Sequence, residues 1–300
     1  MTLHRFFVPP SQIRGSTISL DDPQQIHHLR DVLRLGVGDQ LMAFDGQGSQ
    51  WLGTIARAGA RRVVIHLDEP RDRPERSVAV WLGQALLKAD RFEWVIQKAT
   101  ELGVAALSPL ITRHTVVRLS SEQALTRRQR WQRIATEAAK QCRRATIPVI
   151  HPPLSLEALL RQVAAPACCD TPSAAWKVPP RSAEGASLIL IPTLSVTTIP
   201  LQEVLSAHQA PQEVEPHGQA RGAEPRTEGP APRPIHPKTH PGSPGAWVVA
   251  LIGPEGDFSP EEVALAERFG ARPVSLGPFT LRAETAAIAT MAMLQYALVS

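Results

Sequence analysis

The segment Leu251-Ile-Gly-Pro-Glu-Gly-Asp-Phe-Ser-Pro-Glu-Glu262 constrains the fold of this chain more than any other stretch. An apolar run ends directly in glycine, where a strand would stop and leave its backbone groups open to a ligand. Ser259 has the character of an N-cap, Pro260 of a first helical residue and Glu262 of the reciprocal capping partner, so a helix is predicted over Glu261 to Phe269. A second piece, Leu276-Gly-Pro-Phe-Thr-Leu-Arg-Ala-Glu-Thr-Ala286, repeats the order of apolar run, glycine and helix start. Gly253-Pro-Glu-Gly256 on its own also reads as a tight turn. Its companion argues for two strand-end loops converging at one sheet edge, where open α/β sheets bind ligands. The G-x-G-x-x-G dinucleotide fingerprint is absent.

The rest of the chain supplies the sheet. Ser77 to Gly83, Ala105 to Ile111, Ile147 to Ile150, Ser187 to Leu194 and Trp247 to Ile252 read as buried strands. Between them, Asp90 to Leu102 and Ser121 to about Arg144 read as amphipathic helices. This alternation predicts an α/β domain with a mainly parallel sheet. Upstream, Thr17 to Leu20, Gln40 to Phe44, Trp51 to Ile55 and Arg62 to Leu67 are short apolar runs with frequent turn signals, plus one helical stretch from Pro23 to Leu35. That pattern fits a small barrel or sandwich. The expected division is a domain over 1–70, a charged, proline-containing linker over 71–76 and a second domain over 77–300. Within the second domain, 206–246 is rich in proline and poor in apolar residues and reads as a disordered insertion.

A chain of 300 residues holds two cores comfortably. Its net charge of +4 permits an anionic partner such as RNA without demanding one. Cys142, Cys168 and Cys169 have neither disulfide-framework nor zinc-site spacing, so they read as reduced thiols, with no metal site expected. The opening residues reach Pro9-Pro10 before any long apolar run, so a cytoplasmic protein without a signal peptide is expected. The apolar stretch from Ala286 to Val299 falls short of the roughly 20 residues that cross a bilayer, so no membrane association is expected. It reads as a buried helix, covered by its own domain or by a second copy.

His4-Arg-Phe-Phe7, His27 to Leu35 with Gly38-Asp39, Asp45-Gly46, Gln84 to Lys88, Val95 to Val104, Glu137 to Pro148 and the two glycine motifs follow one another along the chain. Together these blocks resemble the RsmE family of ribosomal RNA methyltransferases, which are SPOUT enzymes. The resemblance implies a SPOUT-like C-terminal domain with a deep trefoil knot and a small N-terminal PUA-like β-barrel. It implies S-adenosyl-L-methionine as cofactor, held by Leu194, Ile252, Gly253, Pro254, Glu255, Gly256, Leu276, Gly277, Leu281 and Thr285. The implied reaction is methylation of N3 of a uridine in small-subunit (16S) ribosomal RNA, free or in the assembled subunit, by a homodimer. A non-catalytic ribosome-assembly protein and a SPOUT enzyme acting on transfer RNA are the alternatives. Two positions depart from the family pattern: Arg143 stands where glycine is common after the cysteine, and Phe279-Thr280 replaces a basic and branched pair.

Arg282 and Glu284 are the catalytic candidates. Loss of the uracil N3 proton spreads negative charge onto O2 and O4, which a guanidinium stabilises as an oxyanion hole does. Arginine stays protonated and cannot be the base. Arg282 also fits an RNA phosphate clamp, or a surface pair with Glu284 or Glu255. Candidate RNA contacts are Arg5, His28, Arg30, Arg34 and Lys88, together with Arg133, Lys140 and Arg144 on a basic helical stripe that also reads as a solvated face. Phe7 is expected in the core.

Overall fold

The computed structural model describes residues 3–70, 78–164, 188–194, 198–209 and 246–299. The first part is a six-stranded sheet made of β1 (His4–Phe7), β2 (Ile13–Arg14), β3 (Thr17–Leu20), β4 (Gln40–Phe44), β5 (Gln50–Ala58) and β6 (Val63–Leu67). The strands run in the order β1-β4-β5-β6-β3-β2; β1 is parallel to β4 and the other pairs are antiparallel. Helix α1 (Pro23–His27), capped by the Asp22 carboxylate, widens into a π-helical turn over His28–Val32. Alternating residues of the strands, among them Phe6, Ile18, Leu20, Leu41, Ile55 and Ile65, meet in one buried cluster.

The second part contains β7 (Val78–Ala85), α2 (Ala89–Glu101), β8 (Ala106–Ile111), α3 (Ser121–Gln141), β9 (Val149–Ile150), β10 (Leu154–Ser155) and α4 (Leu156–Ala164). It continues with β11 (Leu188–Pro192), β12 (Ile199–Pro200), α5 (Leu201–Gln209), β13 (Ala246–Ile252), α6 (Pro260–Arg268), β14 (Ala271–Ser275) and α7 (Ala283–Val299). All of its strand pairs are parallel, in the order β10-β8-β7-β13-β11-β14-β12, with β9 beside β8. Helices α2, α3, α5 and α7 cover one face, where Phe92 and Trp131 pack 4.7 Å apart. Helices α4 and α6 cover the other. The strands are therefore buried on both sides, which is why they read as unbroken apolar runs. The predicted α/β class with a mainly parallel sheet is what the chain forms.

Element ends differ from the sequence reading for local reasons. Helix α3 stops at Gln141 because Arg143 adopts φ +62° just past the Cys142 C-cap, so Arg144 does not continue its stripe. The stretch from Pro23 to Leu35 is helical only to Val32, with Arg34 at φ +55°. Strand β5 extends to Ala58 through a register shift between Ile55 and Arg57. Ser206 to Gln209 belong to α5 and Ala246 to β13, so the insertion is shorter at both ends than 206–246. Residues 210–245, the linker 71–76, Cys168 and Cys169 lie outside the described residues. Phe6, not Phe7, sits in the core; Phe7 is half-buried against Phe44 at 5.7 Å.

The two sheets are joined through the turn after α3. The Ile147 amide donates to the Gly46 carbonyl at 2.9 Å, and Gly46 and Gln47 both bridge to Thr146. Gly46 has φ +74°, and a Cβ there would lie 2.9 Å from Ile147 Cδ1 and 3.0 Å from the Phe7 ring, so only glycine fits. Arg5 donates to the Arg144 carbonyl at 2.9 Å and lies 4.9 Å over the Phe44 ring. The Arg144 guanidinium turns inward and donates to the carbonyls of Thr100 at 2.9 Å and Val104 at 2.8 Å.

Beneath the sheet, His151 is buried with its ring stacked 5.0 Å from Trp81. Burial, with the Arg128 charge adding to it, pushes its pKa from 6.5 down to about 4. A base that is harder to protonate when folded contributes stability above pH 6.5 that is lost as pH falls toward 4. The expected loss across that window is about 2 to 3 kcal/mol, read by denaturant unfolding at successive pH values. His151→Phe should flatten this limb; an unchanged slope would assign the acid sensitivity elsewhere.

Candidate active site

Three loops and one helix start meet at the C-terminal edge of the parallel sheet. Ile252, the last residue of β13, leads into Gly253-Pro254-Glu255; Thr193 and Leu194 follow β11; Leu276 and Gly277 follow β14. With Leu281, Arg282, Ala283 and Ala286 they enclose a cavity of about 280 Å³. Leu194, Ile252, Leu276, Leu281 and Ala286 give it apolar walls, and Thr193, Ser275 and Glu255 give it polar ones. Gly277 has φ +126°, a conformation closed to other residues without strain, and it turns the chain into the cavity rim.

Asp257, which sequence reasoning passed over, ties two of these loops together. Its carboxylate accepts from Thr193 Oγ1 at 2.8 Å and from the Leu194 amide at 2.7 Å, both with Oδ2. Oδ1 accepts from the Phe258 amide at 2.8 Å. Asp257 holds φ +58°, a left-handed conformation that aspartate tolerates better than most residues. Behind the loop, His114 Nδ1 lies 3.0 Å from the carbonyls of both Gly256 and Asp257, and a Cβ on Gly256 would lie 3.2 Å from His114 Cβ. The capping box on α6 fixes the far end: Glu262 accepts from the Ser259 amide at 2.9 Å and also from the Arg113 amide at 2.9 Å. The only hint of Asp257 in the sequence is its place after a glycine and before an N-cap.

Of the ten residues assigned to the cofactor from the sequence, eight line this cavity. Gly256 faces His114, and Thr285 is exposed on α7. Arg282 stands exposed on the rim, and its guanidinium has no ion pair or hydrogen bond among the described residues. The surface-pair reading of Arg282 therefore falls, because a different arginine takes those carboxylates. Arg91 of α2 lies 3.3 Å from Glu255 and 3.8 Å from Glu284. Glu284 is only 15% exposed, points at Arg91 and does not line the cavity. Arg91 was missed because α2 was read for its apolar face.

The basic candidates separate into two groups. Lys88, at the start of α2, is exposed beyond the same sheet edge as the cavity, and Arg133 is exposed on α3. His28, Arg30 and Arg34 are exposed on the N-terminal sheet's helical turn. Lys140 is paired with Glu137 at 2.7 Å, and Arg130 with Glu93 at 2.8 Å, which reduces the free charge of the stripe. Arg5 is committed to joining the two sheets through the Arg144 carbonyl, and the Arg144 guanidinium to the Thr100 and Val104 carbonyls within the second part. Among the described residues no cluster of histidine, cysteine and carboxylate side chains could hold a metal ion, and none of their helices is long and apolar enough to cross a membrane.

Family models give the class of a chain that joins a small mixed sheet to a parallel α/β sheet in this way: an RNA methyltransferase domain matches 74–185 and 197–295, and an RNA methyltransferase PUA domain matches 20–68. Ribosomal RNA small subunit methyltransferase E of Synechocystis is 30% identical over 97% of this chain and 77% of its own length. The chain belongs to the family of small-subunit ribosomal RNA methyltransferases E. A Legionella pneumophila structure described as a putative methyltransferase with bound cofactor SAM superposes with a TM-score of 0.69, 26% identity and coverage of 99% of this chain and 98% of that one. The Neisseria gonorrhoeae methyltransferase E, solved with S-adenosyl methionine, has the same fold at a TM-score of 0.67 and 24% identity, over 98% and 97% of the two chains.

Proposed function

We propose that this protein transfers a methyl group from S-adenosyl-L-methionine to N3 of a uridine in 16S ribosomal RNA. It is an S-adenosylmethionine-dependent ribosomal RNA methyltransferase by family; the target atom is our reading. The observation that carries it is the convergence of three strand-end loops and the Arg282 helix start on one cavity. The apolar walls suit an adenosine, and Ser275 and Glu255 place polar side chains beside them. The cofactor supplies an electrophilic methyl on a sulfonium, and its transfer needs alignment more than a catalytic dyad.

The protein's own part is electrostatic and geometric. Arg282 faces the negative charge that develops on uracil O2 and O4 as N3 loses its proton to water at the rim. Glu284 holds Arg91, which in turn holds Glu255 of the cofactor loop, so this acid acts by positioning. A base hidden in a Watson–Crick pair must be presented unpaired, and the exposed rim admits one. Lys88, Arg133, His28, Arg30 and Arg34 supply phosphate and backbone contacts to the RNA or the assembled subunit.

Two finer features of architecture belong to the same proposal. The small sheet closes as a PUA-like barrel, and the chain forms a deep trefoil knot around the cavity. The placement of β13 between β7 and β11, with α7 returning onto β7, β13 and α2, supports the knot. Helix α7 keeps Met293 and Tyr296 exposed at 40% and 83% on a largely apolar helix, which supports a homodimer covering that face. The site is expected in the cytoplasm, where ribosomal subunits are assembled.

The test is methyl transfer from labelled cofactor to small subunits that lack the modification, with nucleoside mass spectrometry of the product and light scattering of the enzyme. Formation of 3-methyluridine by a dimer is the expected outcome. Methylation confined to transfer RNA would replace the substrate. Cofactor binding without turnover on either RNA would favour the non-catalytic assembly protein.

A further inference from the structure

Phe279 is the one large aromatic side chain that stands at the cavity mouth. It is 80% exposed although it lines the cavity with Leu276, Leu281 and Arg282. The chain holds it there deliberately: Gly277 at φ +126° turns the backbone outward, and Pro278 restricts the next step. No ring contact is found for it among the described residues. An isolated exposed apolar residue is ordinary on a protein surface. An aromatic ring at the mouth of a methyl-donor cavity, three residues before an unpaired guanidinium, is a different matter.

We propose that Phe279 is the stacking platform for the target uracil. The inference rests on the methyltransferase reading above and adds the residue that positions its substrate. A flat ring binds any nucleobase face without hydrogen bonds, and recognition of unpaired RNA bases by aromatic stacking is general. Arg282 then meets the edge of the same base, where O2 and O4 lie. The ring supports the face and the guanidinium reads the rim. The cofactor's adenine is not the partner, because the inner walls are Leu194, Ile252, Leu276 and Ala286 while Phe279 projects to solvent. A stacked phenylalanine gives a contact that salt does not screen.

Steady-state methylation of small subunits, calorimetric cofactor binding and light scattering test the assignment on Phe279→Ala and Phe279→Trp. Alanine should raise the KM for the subunit by roughly tenfold to a hundredfold, from the measured range of base–aromatic stacking. Cofactor affinity, dimer mass and the salt slope of subunit binding should stay at wild-type values, and tryptophan should restore the KM. An unchanged KM in the alanine variant overturns the proposal, as does weakened cofactor binding or a shift to monomer. Failure of the wild-type protein itself to methylate the subunit would instead overturn the functional reading on which this rests.

Discussion

Replacing Arg282 with alanine is expected to lower kcat for methyl transfer by about a hundredfold to a thousandfold, the range found when one oxyanion donor is removed. The side chain is exposed and has no partner among the described residues, so its loss leaves no orphaned group and the fold should be unaffected. Cofactor affinity, read by calorimetry, should change little. On the proposed chemistry, the charge it stabilises exists only as N3 deprotonates, so the effect belongs in kcat more than in KM. Arg282→Lys should recover part of the rate, since a point charge lacks the planar donor pair that meets one edge of a base. A rise in KM with kcat intact, steepening with salt, would assign Arg282 to an RNA phosphate and remove it from the chemistry.

The sequence exposed this site where the signals were local. Ser259, Pro260 and Glu262 announce a helix start within four positions, and the capping box forms as read, with Glu262 accepting at 2.9 Å. Gly253 and Gly277 mark strand ends because a backbone that bends sharply beside a ligand excludes a Cβ. Eight of the cofactor candidates that the resemblance implied line the cavity, those two glycines among them. Long-range pairings left no such mark. Asp257 is separated from Thr193 by 64 positions and Arg91 from Glu255 by 164, and neither spacing follows from helical or strand periodicity. Helices α4 and α5 were missed because each is only nine residues long and borders a proline-rich segment.

The same limit explains Arg144. Counting along α3 in steps of three, four and seven puts it on a basic stripe, but the helix stops at Gln141 and Arg143 reverses the backbone at φ +62°. Arg144 therefore leaves the stripe and swings beneath α2. A stripe that ends at Lys140 carries less charge toward RNA than the sequence indicates, and part of that is held by Glu93 and Glu137. On the proposed function, the exposed cations at Lys88 and Arg133, together with those on the N-terminal turn, are the ones placed to bear the electrostatic contact.

Arg144→Ala should consequently behave as a stability variant. Its guanidinium donates to the Thr100 and Val104 carbonyls and to Thr146 Oγ1 at 3.0 Å, in the turn where Thr146 bridges to Gly46 of the N-terminal sheet. Removing it strands carbonyl acceptors of the buried residues Thr100 and Val104 that a charged donor had satisfied, at a cost of about 2 to 3 kcal/mol. Arg5 loses nothing directly, because it donates to the Arg144 main-chain carbonyl, which alanine retains. Denaturant unfolding would measure the loss. Arg133→Ala supplies the contrast: stability within about 0.5 kcal/mol of wild type, and a salt slope for RNA binding reduced by about one. If Arg144→Ala instead lowered the salt slope and left unfolding unchanged, its side chain would have to turn outward onto the RNA in solution, and its bonds to the Thr100 and Val104 carbonyls would contribute nothing to stability.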